Sequence, residues 1–389
     1  MKKLAIVSSH PIQYNAPWFA LLNESNIVKP KIFYTWQQSQ NDKYDPGFQK
    51  VIKWDVPLLI GYEYTFVNNI SKDPGTHHFK GLVNPTLNSE IFEWQPDAIL
   101  VFGWSFDSHL KCIRHFHKKI PILFRGDSTL LDEQGGIKTF LRRLFLKWVY
   151  INIDFALYVG SNNKAYFLKH SVKEHQLAYV PHAVDNNRFA EPAHLYEEKA
   201  LVLKEQLGIH SQDVVLLFAG KLESKKNPFF LLQLVKKISD PRLKIIFVGD
   251  GLLKAPLQKD AAEYGNRVHF LDFQNQQEMP VIYRIADMLV LPSKGPGETW
   301  GLALNEAMGC EKAVVASDKA GGAADLIKPG INGLIIRNND TEELEALLKR
   351  ALRSKEELNT MGKMSKQIIY QFSYQHIIEA ICGLMKMIN

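Results

Sequence analysis

Short apolar runs recur along the whole chain, each halted by Gly, Pro or a polar cluster and each followed by a stretch with helical spacing. Runs of this length that are apolar on both faces read as strands of a parallel sheet, because the helical crossovers between them cover both sides. In the first half the pattern predicts strands at 4–8, 31–34, 97–102, 120–124, 155–159 and 177–180. In the second half it predicts them at 214–219, 244–248, 268–271, 288–291, 313–316 and 334–336. Helices are predicted at 138–151 and at 341–353, the latter opened by Thr341 with Glu342 and Glu343 in its first turn. Two more, around 355–371 and 374–388, close the chain. Alternation of this kind gives an α/β protein with doubly wound sheets.

A polar, proline-bearing stretch at 186–198 separates the two runs of alternation and reads as a linker. With 389 residues, too many for one ordinary core, the chain divides into domains at 1–190 and 191–370, followed by a terminal segment at 371–389. One region resists the pattern. Trp36, Trp54, Tyr62, Tyr64, Phe66 and Trp94 fall in an irregular segment broken by Pro46-Gly47, Pro74-Gly75 and Pro85. It reads either as aromatic core with short strands or as a long functional loop whose rings suit sugar faces.

Open α/β sheets bind ligands beyond the carboxyl ends of their strands, so the strand exits carry the candidate chemistry. The richest exit is 292–310, Pro-Ser-Lys-Gly-Pro-Gly-Glu-Thr-Trp-Gly-Leu-Ala-Leu-Asn-Glu-Ala-Met-Gly-Cys. A strand, a glycine-bearing loop and a helix opening near Gly301 make a natural anion site, with Thr299, Gly301 and Leu302 at the helix origin. Glu298 precedes this helix, and Glu306 sits inside it among Leu302, Ala303, Leu304, Ala307 and Met308. A carboxylate in so apolar a helix needs a partner. Either a neighbouring salt bridge or two adjacent hydroxyls of a polyhydroxylated ligand would satisfy it.

The exit at 220–228, Gly220-Lys221-Leu222-Glu223-Ser224-Lys225-Lys226-Asn227-Pro228, offers cations that would neutralise a leaving diphosphate, or else a solvated lysine cluster. Gly251, in Gly249-Asp250-Gly251, lets backbone approach a ligand. In the first half, His10, Gln13 and Tyr14 follow the first strand as candidates to line one side of a ligand cleft, or as a polar loop packed on itself. Arg125 and Asp127 follow the fourth: Arg125 can bind an anion with its planar fork but cannot act as a base, which leaves Asp127 as the nearest base.

Composition narrows the partners. Hydrophobic residues make up 46% and charged residues 23%, the balance of a globular protein, and no apolar run approaches the ~20 residues that span a bilayer. The apolar start ends at Ser8 and reads as a first strand rather than a secretion signal. Cys112, Cys310 and Cys382 are odd in number and widely spaced, and they suggest core thiols in a reducing cytoplasm. A net charge of +6 fits nucleic acid, an anionic membrane or a phosphorylated ligand. No nucleic-acid module is present, so nucleic acid is not expected as a partner. Residues 138–151 mix Lys138, Arg142, Arg143 and Lys147 with Phe, Leu and Trp, up to Ile151. Such a helix either rests peripherally on anionic lipid or simply packs on the sheet with a basic outer face.

Glu298-Thr-Trp-Gly-Leu-Ala-Leu-Asn-Glu306 is similar to the E-x-F-G-L-x-x-x-E signature of retaining glycosyltransferases of family 4, with Trp300 where Phe is usual. The 220–228 segment resembles that family's Gly-Arg-Leu-x-x-x-Lys motif, with Lys221 for the Arg and Lys226 for the Lys. Pro181-His-Ala-Val-Asp…Phe189 is similar to its Pro-Asn-Gly-Val-Asp…Phe segment. The resemblance implies the two-domain GT-B fold, with both sets of strand ends opening into a central cleft and the last helix crossing back to the first domain. It implies transfer of a sugar from a nucleotide sugar to an acceptor hydroxyl on a glycan or lipid-linked glycan in cell-surface polysaccharide synthesis, with anomeric configuration retained. By the same match Glu298 sits by the donor sugar, Glu306 holds the ribose, and Lys221 and Lys226 hold the diphosphate. The catalytic set is then Glu298 and Lys226, with Arg125 where relatives carry a His and Asp127 beside it. The nucleotide sugar is a substrate, and no cofactor is implied. No Asp-x-Asp cluster sits in a plausible place for a metal. An epimerase of the same fold, or a non-catalytic nucleotide-sugar binder, are the alternatives.

Overall fold

The computed structural model describes residues 1–37, 43–45, 47, 48, 50–337 and 340–388. Pro46, one of the turn residues noted above, lies outside the described residues. The chain divides into two compact units. The first comprises Met1–Lys43, Pro57–His182 and Tyr374–Asn389, and the second Tyr44–Val56 and Ala183–Ser373. Against the expected division, 44–56 and 183–190 group with the second unit.

The strands, in chain order, are β1 (Lys2–Ser8), β2 (Val28–Tyr34), β3 (Lys43–Asp45), β4 (Lys50–Ile52), β5 (Glu63–Phe66), β6 (Ala98–Phe102), β7 (Ile122–Arg125), β8 (Phe155–Tyr158) and β9 (Leu177–Tyr179), then β10 (Val214–Ala219), β11 (Leu243–Val248), β12 (Val268–Leu271), β13 (Met288–Leu291), β14 (Ala313–Ser317) and β15 (Gly333–Ile336). The first unit holds one sheet of order β5-β2-β1-β6-β7-β8-β9, and the second a sheet of order β12-β11-β10-β13-β14-β15. Both are parallel throughout. β3 and β4 form a separate two-stranded ribbon.

Both sheets obey the same rule. The chain builds outward from one central strand, returns, and builds outward on the other side, as in doubly wound folds. Helices cover both faces, which is why the central strands are apolar runs with every residue of β11 and β13 buried. The first core gathers Val7, Val101, Phe124, Leu146 and Phe167, and the second Leu216, Phe230, Phe247, Val290 and Leu347.

The irregular aromatic segment supplies short strands after all, with β5 on the sheet edge and the β3–β4 ribbon. The stretch read as a linker is instead helical, in Asn186–Ala190 and Ala193–Gln206. Tertiary partners explain this. Asp185 caps the first helix by accepting from Arg188 N, and buried Arg284 donates to the carbonyls of Phe189 and Ala190 at 2.8 and 3.0 Å. All three cysteines are buried thiols, and Cys310 lies 3.2 Å from that same guanidinium.

Candidate functional site

The second sheet reverses its strand order between β10 and β13, and a switch point of this kind leaves a crevice beyond the carboxyl ends of the two strands. The exits at 220–228 and 292–301 flank it, and they are tied together. Lys294 N donates to Lys225 O at 2.8 Å, and Asn227 Nδ2 donates to Pro292 O at 3.2 Å.

Lys226 ends the short turn Ser224–Lys226 and forms an ion pair with Glu298, whose Oε2 also accepts from Ser293 Oγ at 2.9 Å. Glu298 is only 8% exposed. A carboxylate so far out of water persists because a cation and a hydroxyl together replace its hydration. The loop around it is fixed by backbone bonds of 2.9 Å, from Gly321 N to Glu298 O and from Gly322 N to Trp300 O. Trp300 is itself buried and donates through Nε1 to Asn305 Oδ1 at 2.8 Å, while Thr299 is half-buried between these anchored residues.

The helix Leu302–Gly309 begins at Gly301, whose φ of +96° disfavours any L side chain. A Cβ there would also stand 2.6 Å from Leu291 Cδ2, so the helix origin is seated directly against the end of β13. No side chain caps this helix, and in its first turn Leu304 N donates to Gly301 O at 2.9 Å. Further in, Glu306 is 3% exposed and accepts from the Tyr283 hydroxyl at 2.6 Å. That phenol comes from the helix Met279–Arg284.

Lys221 and Gly220 leave β10 beside the β3–β4 segment, with Lys221 Nζ 5.0 Å above the Phe48 ring. Gly251, at φ +149°, passes so close to the 220–228 loop that a Cβ would lie 2.6 Å from Leu222 O. Asp250 between the glycines accepts from Lys50 Nζ (2.7 Å), Lys254 Nζ (2.5 Å) and Phe273 N (3.1 Å). Burial alone would raise its pKa, but these donors outweigh burial and hold it at about 2. The same segment is fastened further along, where Asn275 Nδ2 donates to Lys53 O and Gln277 Nε2 to Asp55 O, both at 2.6 Å.

In the first unit, His10, Gln13 and Tyr14 occupy the turn between β1 and the helix Ala16–Glu24, all partly buried, with Ser9 Oγ 3.0 Å from His10 Nδ1. Arg125 corrects an expectation. Its guanidinium is buried, and its two terminal nitrogens donate to Val180 O and Pro181 O at 2.8 and 3.0 Å. The planar fork that suits a phosphate is spent on holding the chain as it leaves β9. Burial lowers its pKa to about 10, with Asp127 opposing. Asp127 is half-exposed and lies 3.7 Å from His182 Nε2, while burial pulls the His182 pKa below its ordinary value.

Four of these groups escaped the sequence reading. Ser293 follows Pro292 at a strand exit, and that position was its one signal. Tyr283 and His182 have no local signal, because each meets its partner only through the fold. His109 is the fourth: fully buried, it places Nδ1 2.8 Å from Phe102 O and Nε2 3.0 Å from Thr35 Oγ1. Among the described residues, Asp73, His77 and His78 also bring ligand atoms within 4.8 Å of one another, in a largely exposed loop of the first unit.

Residues 201–368 match the family described as glycosyl transferases group 1. The lipopolysaccharide 1,2-N-acetylglucosaminetransferase of Salmonella typhimurium is 31% identical over 196 residues, covering 47% of this chain and 51% of that protein. The chain spans about half the length of the curated relatives it matches. Among solved structures, a glycosyltransferase from Rickettsia africae superposes with a TM-score of 0.74 at 15% identity, covering 100% of this chain and 98% of that one. Anabaena HepE in complex with UDP superposes with a TM-score of 0.73 at 18% identity, over 100% of both chains. The protein therefore has the GT-B fold, and its residues 201–368 are similar to the glycosyl transferases group 1 family.

Proposed function

We propose that the protein is a retaining glycosyltransferase of family 4 that moves a sugar from a nucleoside diphosphate sugar to an acceptor hydroxyl. The observation that carries this reading is the Lys226–Glu298 pair at the β10/β13 switch point, beside the uncapped origin of the helix Leu302–Gly309. Lys226 and the helix N–H groups would take up the charge that develops on the departing diphosphate. Lys221, poised over Phe48, would add a second cation. Glu298, already bonded to Lys226, would share its oxygens with hydroxyls of the donor sugar, while Glu306 receives the ribose. A diphosphate oxygen would take the acceptor proton, so no protein base is required. Work without a metal is part of the reading, because the sequence offers no Asp-x-Asp cluster at this site.

The UDP complex of HepE supports a nucleotide donor, and the lipopolysaccharide transferase supports a glycan or lipid-linked glycan acceptor in surface polysaccharide synthesis. His10, Gln13 and Tyr14 are the residues assigned to the acceptor, and the cysteine pattern favours a cytoplasmic enzyme. One observation favours a second reading. Asp127 beside His182 is the kind of acid–base pair that a nucleotide-sugar epimerase would need. A panel of nucleotide sugars, incubated with and without candidate acceptors while nucleotide release and sugar epimers are followed, separates the two. Release that rises with acceptor supports transfer, whereas an epimer formed without release supports the second reading. Tight binding with neither product would leave a non-catalytic binder.

A further inference from the structure

The helix Ile137–Tyr150 turns the wrong face outward for a helix that only packs on a sheet. Leu146, Val149 and Tyr150 are buried against the first unit. On the opposite side, Ile137, Leu141, Leu144, Trp148 and the C-cap Ile151, spaced four, three, four and three residues apart, form one ridge widened by Phe140. These are not half-covered side chains: Ile137 is 80% exposed, Phe140 60%, Leu144 52% and Ile151 69%. A contiguous apolar ridge of this size on a surface marks a site of contact rather than chance.

The cations decide what the contact is. Lys138 lines one flank of the ridge and Lys147 the other, while Arg142 follows Lys138 one turn on, nearer the covered face, all three exposed. Arg114 from the helix Asp107–Phe116 adds a fourth charge, with its guanidinium 4.9 Å above the Trp148 ring. Aliphatic and aromatic side chains projecting between basic flanks are the arrangement of a helix lying in a lipid headgroup layer, with the ridge at the acyl boundary and the cations among phosphates. A second copy would fit poorly, since two such ridges meeting face to face would set cation against cation. No helix among the described residues is long and apolar enough to cross a membrane, so the contact is with one face of a bilayer.

We propose that this ridge docks the first unit onto an anionic membrane surface through Ile137, Phe140, Leu141, Leu144, Trp148 and Ile151, with Lys138, Arg142 and Lys147 reading the phosphates. The docking stands apart from the transferase reading and is tested without donor or acceptor. The full chain is co-sedimented with vesicles of phosphatidylcholine alone and of phosphatidylcholine with phosphatidylglycerol. Two variants are compared, the charge reversal Lys138→Glu/Arg142→Glu/Lys147→Glu and the ridge variant Phe140→Ser/Leu144→Ser. Both change exposed residues only, and circular dichroism checks the fold. Partitioning at least tenfold greater onto the anionic vesicles, lost at least tenfold in either variant and weakened by salt, is the expected result. Equal partitioning onto both vesicles, or charge reversal without effect, overturns the proposal. So does a dimer that the ridge variant dissociates while no vesicle is bound, because a second copy then covers the ridge.

Discussion

Replacing Lys226 by Met tests whether the switch-point ion pair is a working unit. The change strips the cation from Glu298, a carboxylate 8% exposed, and leaves it the Ser293 hydroxyl as a donor. Breaking a buried pair from one side costs about 3–5 kcal/mol. The Lys226 side chain retains 20% of its exposure, which brings the expected loss to the lower end, about 3 kcal/mol. Glu298→Gln, which leaves a cation able to reach water, should cost about 1 kcal/mol. In the double variant the stranded charge is gone, so the loss should be about 2 kcal/mol rather than the sum, a coupling of about 2 kcal/mol. Urea denaturation of the four proteins at unchanged m-value measures this directly. Repeating the series with UDP adds the functional half. At a hundred times its Kd a ligand stabilises by about 2.7 kcal/mol, and that increment should vanish in Lys226→Met and survive in Glu298→Gln. Single-variant losses that add to within about 0.5 kcal/mol would show the two residues to be independent. Full UDP stabilisation of Lys226→Met would remove the cation from the diphosphate site.

The other expectations are shorter. The Glu306→Gln variant keeps an acceptor for Tyr283 but loses the carboxylate, so UDP affinity by calorimetry should fall at least tenfold while the fold stands; an unchanged Kd would free Glu306 from the ribose. His109 is buried with its pKa lowered to about 4, mainly by desolvation, against ~6.5 unfolded. The unfolded chain thus binds the extra proton between these values, and stability present above pH ~6.5 should fall by about 3 kcal/mol as pH drops to about 4. Urea midpoints across that range should show the slope, and His109→Gln should flatten it. Gly301→Ala combines a φ of +96° with a Cβ 2.6 Å from Leu291 Cδ2 and should cost about 1–3 kcal/mol in thermal melts. Turnover, once a donor is found, should survive EDTA; loss restored by a divalent cation would overturn the metal-free reading.

Strands at the centre of each sheet were readable because burial on both faces forces an unbroken apolar run. Val214–Ala219 and Met288–Leu291 have the bounds their sequence predicts. Glu63–Phe66 at a sheet edge and Lys50–Ile52 in the ribbon were not, since they face partly outward and carry mixed residues. The helices at 186–206 look polar in sequence and owe their order to Arg284, which lies far along the chain. In the candidate site, local spacing pointed to Glu298, Glu306 and Lys226, whose surroundings are set by strand exits. It could not supply Tyr283, which is 23 residues from its partner Glu306, nor reveal that Arg125 is occupied 55 and 56 residues downstream. Such contacts exist only once the sheet has formed.

The helix Tyr374–Met387 belongs to the first unit, where Ile377, Ile381 and Met385 are buried and the helix Ala16–Glu24 is a neighbour. On a ribosome this piece emerges after the whole of Ala183–Ser373. The later-made half can therefore finish its own core while the earlier-made half still waits for its closing piece, reversing the usual order in which domains mature during synthesis. Cutting the chain after Ser373 should accordingly leave the β10–β15 half intact and loosen the half that was translated first.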